Sequence, residues 1–388
     1  VLFVDPVGEK GGAEVVLLDL VRGLDRRRFT PLVACLGTGP FVEELKADGV
    51  ATFALPPHRV RQPHRVARTI RSLSEIIRRE QVDVVHANSG HLLFYARLAA
   101  RASGAAVVWH PHDPLRHSGL FERLFVGLQR SMRPDWTVFA NPAVAASYLA
   151  AYPRIRRHDV VVPGVDPARV AGGDARRARA ELGIPGDAPI VSMFARLQSH
   201  KGHLDLLDAA SRVRGIHPST RFVLCGGTLF GRQPEYAERV ASRVSELAFD
   251  GRVLLPGHVS ETLKRDLLAA SSIVAHPATH EPFGIAVLEA MAAGKAVVAA
   301  DADGPSHTVV HGATGLLVPA GDADALGNAI EKLLDTPDLA DAMGRAGRAR
   351  VEQRFSVEAM VRAVEAVYEQ VAPASLGRPV APTPPPAR

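Results

Sequence analysis

Short apolar runs, each closed by a polar or turn residue, recur along the chain with room for a helix between them. In the first half they are VLFVDP (1–6), FTPLVACLG (29–37), VDVVHAN (82–88), AAVVWHPHD (105–113) and WTVFAN (136–141). In the second they are APIVSMFAR (188–196), RFVLCGG (221–227), RVLLPGH (252–258), SSIVAHP (271–277), KAVVAAD (295–301) and TGLLVP (314–319). The segments between them carry apolar residues three and four apart, the helical period. Strands alternating with helices predict crossover connections and parallel sheets. The expected fold is α/β, with two doubly wound, Rossmann-like domains facing across a cleft. Gly, Pro and a short basic helix in 168–189 suit a linker, which puts the domains at 1–168 and 169–355. SVEAMVRAVEAVYEQV (356–371) has a strong helical period, and the Pro-rich stretch 372–388 cannot bury a core and is expected to be disordered.

Length supports the division, since 388 residues exceed what one compact core usually serves. Cys35 and Cys225 both sit in apolar runs, which reads as buried thiols in a reducing compartment and points to the cytoplasm. No segment approaches the roughly 20 apolar residues of a membrane span. The chain opens on VLFVDP without an initiator Met, so a few residues are expected upstream. The net charge of +5 is uneven: residues 1–168 hold 22 Lys and Arg against 16 Asp and Glu.

Chemistry concentrates where strands run into helices, which in a doubly wound sheet is where ligands bind. The stretch HEPFGIAVLEAMAAGKAVVA (280–299) follows the strand SSIVAHP. Pro282 and Gly294 bracket a helix predicted over 283–293, whose first N–H groups, at Phe283, Gly284 and Ile285, make an anion site. Glu281 lies at its mouth, and Glu289 is the one charge inside IAVLEAMAA. A buried carboxylate must find donors: ribose hydroxyls of a ligand would serve, and so would a structural partner. In FARLQSHKGHLDLL (194–207), Arg196 and Lys201 flank a strand-to-helix loop and could converge on one phosphate group, or stand as solvated cations. Near the N-terminus Gly11 and Gly12 allow a ligand close to the backbone. The G-x-G-x-x-G and G-x-x-x-x-G-K-[ST] spacings are absent, which argues against a dehydrogenase and a P-loop ATPase. In HPHDPL (110–115), His110 and His112 alternate along an extended chain and are expected to point to opposite faces, a poor metal pair; His112 suits a positioned polar or basic group. Asp301-Ala302-Asp303 has the form of a metal-nucleotide aspartate pair, repeated at Asp322 and Asp324, but arises easily in an Ala- and Asp-rich loop, and no metal site is expected.

Taken in order, GGAE (11–14), HD (112–113), ANPAVAASYL (140–149), VVVPGVD (160–166), ARLQSHKGH (195–203), VLLPGHV (253–259), HEPFGIAVLEAMAAGKAVVA and GATGLLVP (312–319) resemble the retaining nucleotide-sugar glycosyltransferases of the GT-B fold, family 4. The resemblance spans nearly all of 1–371. It implies that Arg196 and Lys201 hold the donor diphosphate and stabilise the departing nucleotide without a metal, and that backbone around Gly12 and Phe283–Ile285 completes the phosphate cradle. It places Glu281 on the donor sugar, Glu289 on the ribose, Val259 beside the base and His112 near the reacting sugar carbon. It also brings the helix 356–371 back to the first domain. Two positions depart from the family's usual forms: His307 in DGPSHTVV stands where many relatives have Glu, and Pro142 in ANPAVA replaces the commoner Ser.

The expected activity is therefore transfer of a hexose from a UDP- or GDP-linked sugar to a hydroxyl of a glycan, lipid or small molecule, with no cofactor. The alternatives are another GT-B activity, such as an epimerase or phosphorylase, and a non-catalytic sugar-nucleotide-binding relative. The helix 61–80 lines Val66, Ile70, Leu73 and Ile77 on one stripe and Arg61, Arg65, Arg68 and Arg79 on the other. That suits an ordinary domain helix, or docking on an anionic membrane surface at the inner face. A nucleic-acid partner is not expected, because aromatics are 5% and no binding motif accompanies the arginines.

Overall fold

A computed structural model describes residues 1–115, 120–228 and 233–372. The chain divides into two units, Val1–Pro163 together with the chain from Val357 onward, and Gly164–Ser356. The first is built on β1 (Leu2–Asp5), β2 (Leu32–Leu36), β3 (Ala51–Leu55), β4 (Val84–Ala87), β5 (Ala106–Trp109), β6 (Trp136–Phe139) and β7 (His158–Val160), all parallel, in the order β3-β2-β1-β4-β5-β6-β7. The second holds β8 (Ile190–Phe194), β9 (Arg221–Cys225), β10 (Val253–Gly257), β11 (Ile273–His276), β12 (Ala296–Ala300) and β13 (Leu316–Val318), also parallel, in the order β10-β9-β8-β11-β12-β13. Each sheet winds outward from its first strand and then returns to lay its fourth strand on the first strand's other side. The loops leaving those two adjacent strands face each other at the carboxyl end, the position where doubly wound sheets bind ligands.

β1, β4, β5, β8 and β12 read as continuous apolar runs and are buried along their length, as helices on both sheet faces require, whereas β10, an edge strand, is only partly buried and leaves Leu255 exposed. Sequence pattern missed β3 and β7. Both are edge strands with little burial, ATFAL and the wholly exposed HDV, so neither shows an apolar run. Cys35 and Cys225 are buried and free, and burial pushes the Cys225 thiol up to about 12.

The segment 168–189 forms two helices inside the second unit, Pro167–Val170 and Ala175–Leu182. Asp174 caps the second helix, while Arg177 Nη2 donates to the buried Asp266 Oδ1 at 2.8 Å. The helix Val357–Val371 packs in the first unit. Val361 fills the space left by Gly23, Glu365 Oε1 accepts from Asp25 N at 2.8 Å, and Arg28 pairs with Glu369. The stretch expected to be disordered lies, from 373 onward, outside the described residues. Among the described residues no helix is long and apolar enough to cross a membrane.

Candidate active site

In the second unit the two loops at the switch point are fastened to each other. The loop after β8 ends in the turn Ser199–Lys201 and enters the helix His203–Ile216 through Gly202, which sits at φ +77°. A Cβ there would lie 2.3 Å from the carbonyl oxygen of Pro277, which follows β11. Thr279 N donates to His200 O at 2.9 Å, a second tie between the loops. That backbone contact brings two distant charges together: Lys201 Nζ donates to Glu281 Oε2 at 2.6 Å. His276, the last residue of β11, places Nε2 2.8 Å from the same oxygen. All three side chains are buried. Burial acts to raise the Glu281 carboxyl, but the hydrogen bond and attraction of His276 and the charge of Lys201 prevail and hold it well below the usual carboxylate range.

A third segment locks the loop from the far side. Asp303 Oδ2 accepts from Glu281 N at 3.2 Å and pairs with His280, and Gly304 N donates to Glu281 O at 2.8 Å. Gly304 is required by contact, since a Cβ would stand 2.7 Å from Phe283 C. Asp303, at φ +44°, thus spends its carboxylate on fixing Glu281. Among the described residues no group of three His, Cys, Asp or Glu is placed to hold a metal ion.

The helix after this loop is Ile285–Ala292, with Gly284 as its N-cap. It begins two residues later than predicted. Pro282 precedes the cap rather than opening the first turn, so the first-turn N–H groups belong to Ile285 and the residues after it, while Phe283 is a buried part of the approach. Glu289 is buried on this helix and meets Lys264 Nζ at 2.7 Å, which also lies 3.0 Å from Glu261. Burial works against the Lys264 charge, but Glu289 and Glu261 outweigh it and raise its pKa. The lone charge in the apolar run therefore has a structural donor.

Arg196 lies exposed just past β8, with no ion pair among the described residues. Its field still reaches the site: burial, then Lys201 and His280, and last Arg196, push His200 down to about 4 against the raising effect of Glu281. Val259 is half-buried beside Ser260, the cap of the helix Glu261–Ala270. His307 lies in the helix Asp303–Thr308 and offers its carbonyl to Arg350. Lys264, His276 and Asp303 are the partners that sequence reading missed as such. His276 had a visible signal, a histidine ending the strand before ATHEPFG; nothing in sequence marked Lys264.

In the first unit the corresponding position holds Asp5, after which the chain turns to Gly11 and Gly12, and Asn88, just past β4. Asn88 Nδ2 donates to Asp5 Oδ2 at 2.8 Å and its Oδ1 accepts from His112 Nε2 at 2.6 Å. An amide oxygen accepts only, so in this arrangement the His112 proton sits on Nε2. Burial, then the charge of Glu14, pushes the Asp5 carboxyl well up, against its bonds from Asn88 and Val7. Gly11 N donates to Glu14 Oε2 at 2.8 Å, and a side chain at Gly11 would strike that carboxylate, whereas one at Gly12 would meet open space. Asn141 caps the helix Pro142–Ala151 by accepting from Val144 N, and Pro142 occupies its first turn.

His110 and His112 do not point apart. Their ring centroids are 4.1 Å from each other, because β5 ends at Trp109 and the strand alternation ends with it. A buried chain continues from His110 Nδ1 to His86 Nε2 (3.1 Å) and from His86 Nδ1 to Tyr368 Oη (2.7 Å) on the C-terminal helix. Burial, then the charge of His112, pushes His86 down to about 3, and burial alone does the same to His112. The helix Pro63–Arg79 buries Val66, Leu73, Ile76 and Ile77 and leaves its arginines exposed, the packing of an ordinary domain helix.

The sequence pattern described as "Glycosyl transferases group 1" matches residues 174–350, and "Glycosyltransferase Family 4" matches 10–169. The alpha-maltose-1-phosphate synthase of Mycolicibacterium smegmatis is 32% identical over 93% of this chain and 96% of its own. The chain belongs to the group 1, family 4 glycosyltransferases. A D-inositol 3-phosphate glycosyltransferase of Mycolicibacterium paratuberculosis is 33% identical over 74% of this chain and 62% of its own. Among solved structures, this glycosyltransferase is similar to Anabaena HepE in complex with UDP-glucose, with a TM-score of 0.84 and 27% identity over 95% of this chain and 99% of that one. Its two parallel-sheet domains are those of the GT-B class.

Proposed function

We propose that this glycosyltransferase moves a hexose from a UDP- or GDP-linked donor to a hydroxyl acceptor, with retention at the anomeric carbon and without a metal ion. The observation that carries the proposal is the meeting of Lys201 with Glu281 and His276 beside the first turn of the helix Ile285–Ala292. A cation and a helix N-terminus at one switch point suit a diphosphate, and the same cation can stabilise the charge that develops as it departs. Arg196 adds a second positive charge at the start of the same loop. Glu281, kept ionised, contacts the donor sugar; Glu289, steadied by Lys264, holds the ribose; Val259 adjoins the base. The proposal gives His112 a place near the reacting carbon and the Gly11–Gly12 turn a backbone approach to the donor. The acceptor oxygen bonds to the anomeric carbon on the face from which the diphosphate leaves, and its proton passes to the leaving phosphate.

UDP-glucose is the first donor to try, because HepE is seen with it. The acceptor is a glycan, a lipid-linked sugar or a small molecule, and the names of the relatives make phosphorylated sugars and inositol phosphates the first probes. The test is proton NMR of the product formed in EDTA. An α-glucoside from UDP-α-glucose supports the proposal; a β-glucoside, or turnover only with added divalent metal, overturns it.

A further inference from the structure

At the opposite end of the first unit's sheet, where β5, β6 and β7 begin, a cavity of about 760 Å³ is lined by five arginines: Arg97, Arg101, Arg133, Arg154 and Arg157. Among the described residues its one lining carboxylate, Asp135, is already engaged, with Oδ2 accepting from Arg97 Nη1 at 3.2 Å and from Val107 N at 2.8 Å. Among the described residues no carboxylate pairs with Arg101, Arg133, Arg154 or Arg157. Asp159, the nearest acid along the chain to Arg157, accepts from Trp136 Nε1 at 2.9 Å, while Arg157 lies over the Trp136 ring. Residues 372–388 hold two arginines and no Asp or Glu.

Four guanidinium groups without acidic partners around one concavity repel one another, and an anion entering it relieves that repulsion while filling their donors. Guanidinium forks match phosphate oxygens in pairs. Two of the arginines have partners, Arg97 with Asp135 and Arg157 with the Trp136 ring, and Gly104, Ala105 and Ala106 at the start of β5 complete the lining. The cavity lies at the amino ends of the strands, whereas Asp5, Asn88 and His112 lie at the carboxyl ends, so it is separate from the candidate active site.

We propose that this cavity is a binding site for a multiply charged phosphate group, carried either by a soluble phosphoanhydride or by an anionic lipid headgroup. The test uses the full chain with two probes, inorganic tripolyphosphate by titration calorimetry and vesicles containing phosphatidic acid, whose phosphomonoester can ionise twice, by sedimentation. The variants are Arg133→Glu/Arg154→Glu, both exposed positions, and separately Lys201→Ala. The double variant is expected to weaken binding of at least one probe by about tenfold or more, and Lys201→Ala to leave that component unchanged. Loss confined to tripolyphosphate identifies a soluble ligand; loss confined to vesicles identifies a lipid. If neither probe binds, or the double variant binds both as the wild type does, the proposal is overturned. Because Lys201→Ala removes only binding at the candidate active site, failure here and failure of the proposed donor site are distinguishable.

Discussion

Lys201 and Glu281, eighty positions apart in sequence, share a 2.6 Å hydrogen bond buried at the carboxyl ends of β8 and β11. The pairing exists because Gly202 lets the β8 loop lie against Pro277. It also keeps Glu281 ionised where burial alone would not. Lys201→Ala is therefore expected to lower turnover by ~10² or more, the usual effect of removing a donor aimed at developing negative charge. Initial rates with UDP-glucose check this; a near-normal rate takes Lys201 out of that role.

Gly202→Ala tests the link between the loops without touching a charge. A Cβ at φ +77°, 2.3 Å from Pro277 O, must push the two loops apart. The strain is expected to lower stability by about 1–3 kcal/mol, and the displaced Lys201 to weaken nucleotide binding. Urea unfolding and UDP titration read the two effects separately.

Glu289→Ala is expected to weaken nucleotide affinity about tenfold while leaving the rate at saturating donor close to normal, the pattern of a lost ground-state contact. Lys264→Met strands a buried carboxylate and is expected to cost about 1–3 kcal/mol of stability along with affinity. If Glu289→Ala leaves UDP and GDP titrations unchanged, Glu289 is a structural partner of Lys264 and no more.

How much of this was legible in sequence depended on range. The six apolar runs of the second half are the six strands of its sheet; β8, β11 and β12 are buried at every position and write that burial as an unbroken run, whereas the edge strand β10 reads as apolar though it is only partly buried. The loop-to-helix positions of Lys201 and Glu281 were equally visible. Their contact was not, since it is made by the close approach of Gly202 to Pro277, which no periodicity encodes. The same limit applies to Glu289: its need for a donor could be read from one charge among apolar neighbours, but Lys264 sits on a different helix. His110 and His112 were misread because strand alternation was carried past Trp109, where the strand stops.

Acid should destabilise the first unit through its histidines. His86 and His112 titrate near 3 in the fold, against about 6.5 in the unfolded chain. Between those values the unfolded state binds protons that the native state does not, so stability falls as pH drops from about 6.5 toward 3. The slope is on the order of 1.4 kcal/mol per pH unit for each histidine. Urea midpoints at pH 7.5, 6.5 and 5.5 check this. The wild type should lose stability on acidification, and His86→Gln should lose less; equal slopes would show that His86 is not held neutral.

The central claim is that the second unit holds a sugar nucleotide through Lys201 with no divalent ion needed, and titration calorimetry of UDP-glucose in EDTA tests it most directly. The account predicts saturable binding to the wild type and at least about tenfold weaker binding to Lys201→Ala. No binding until a divalent metal is added, or equal binding by the two proteins, would contradict it.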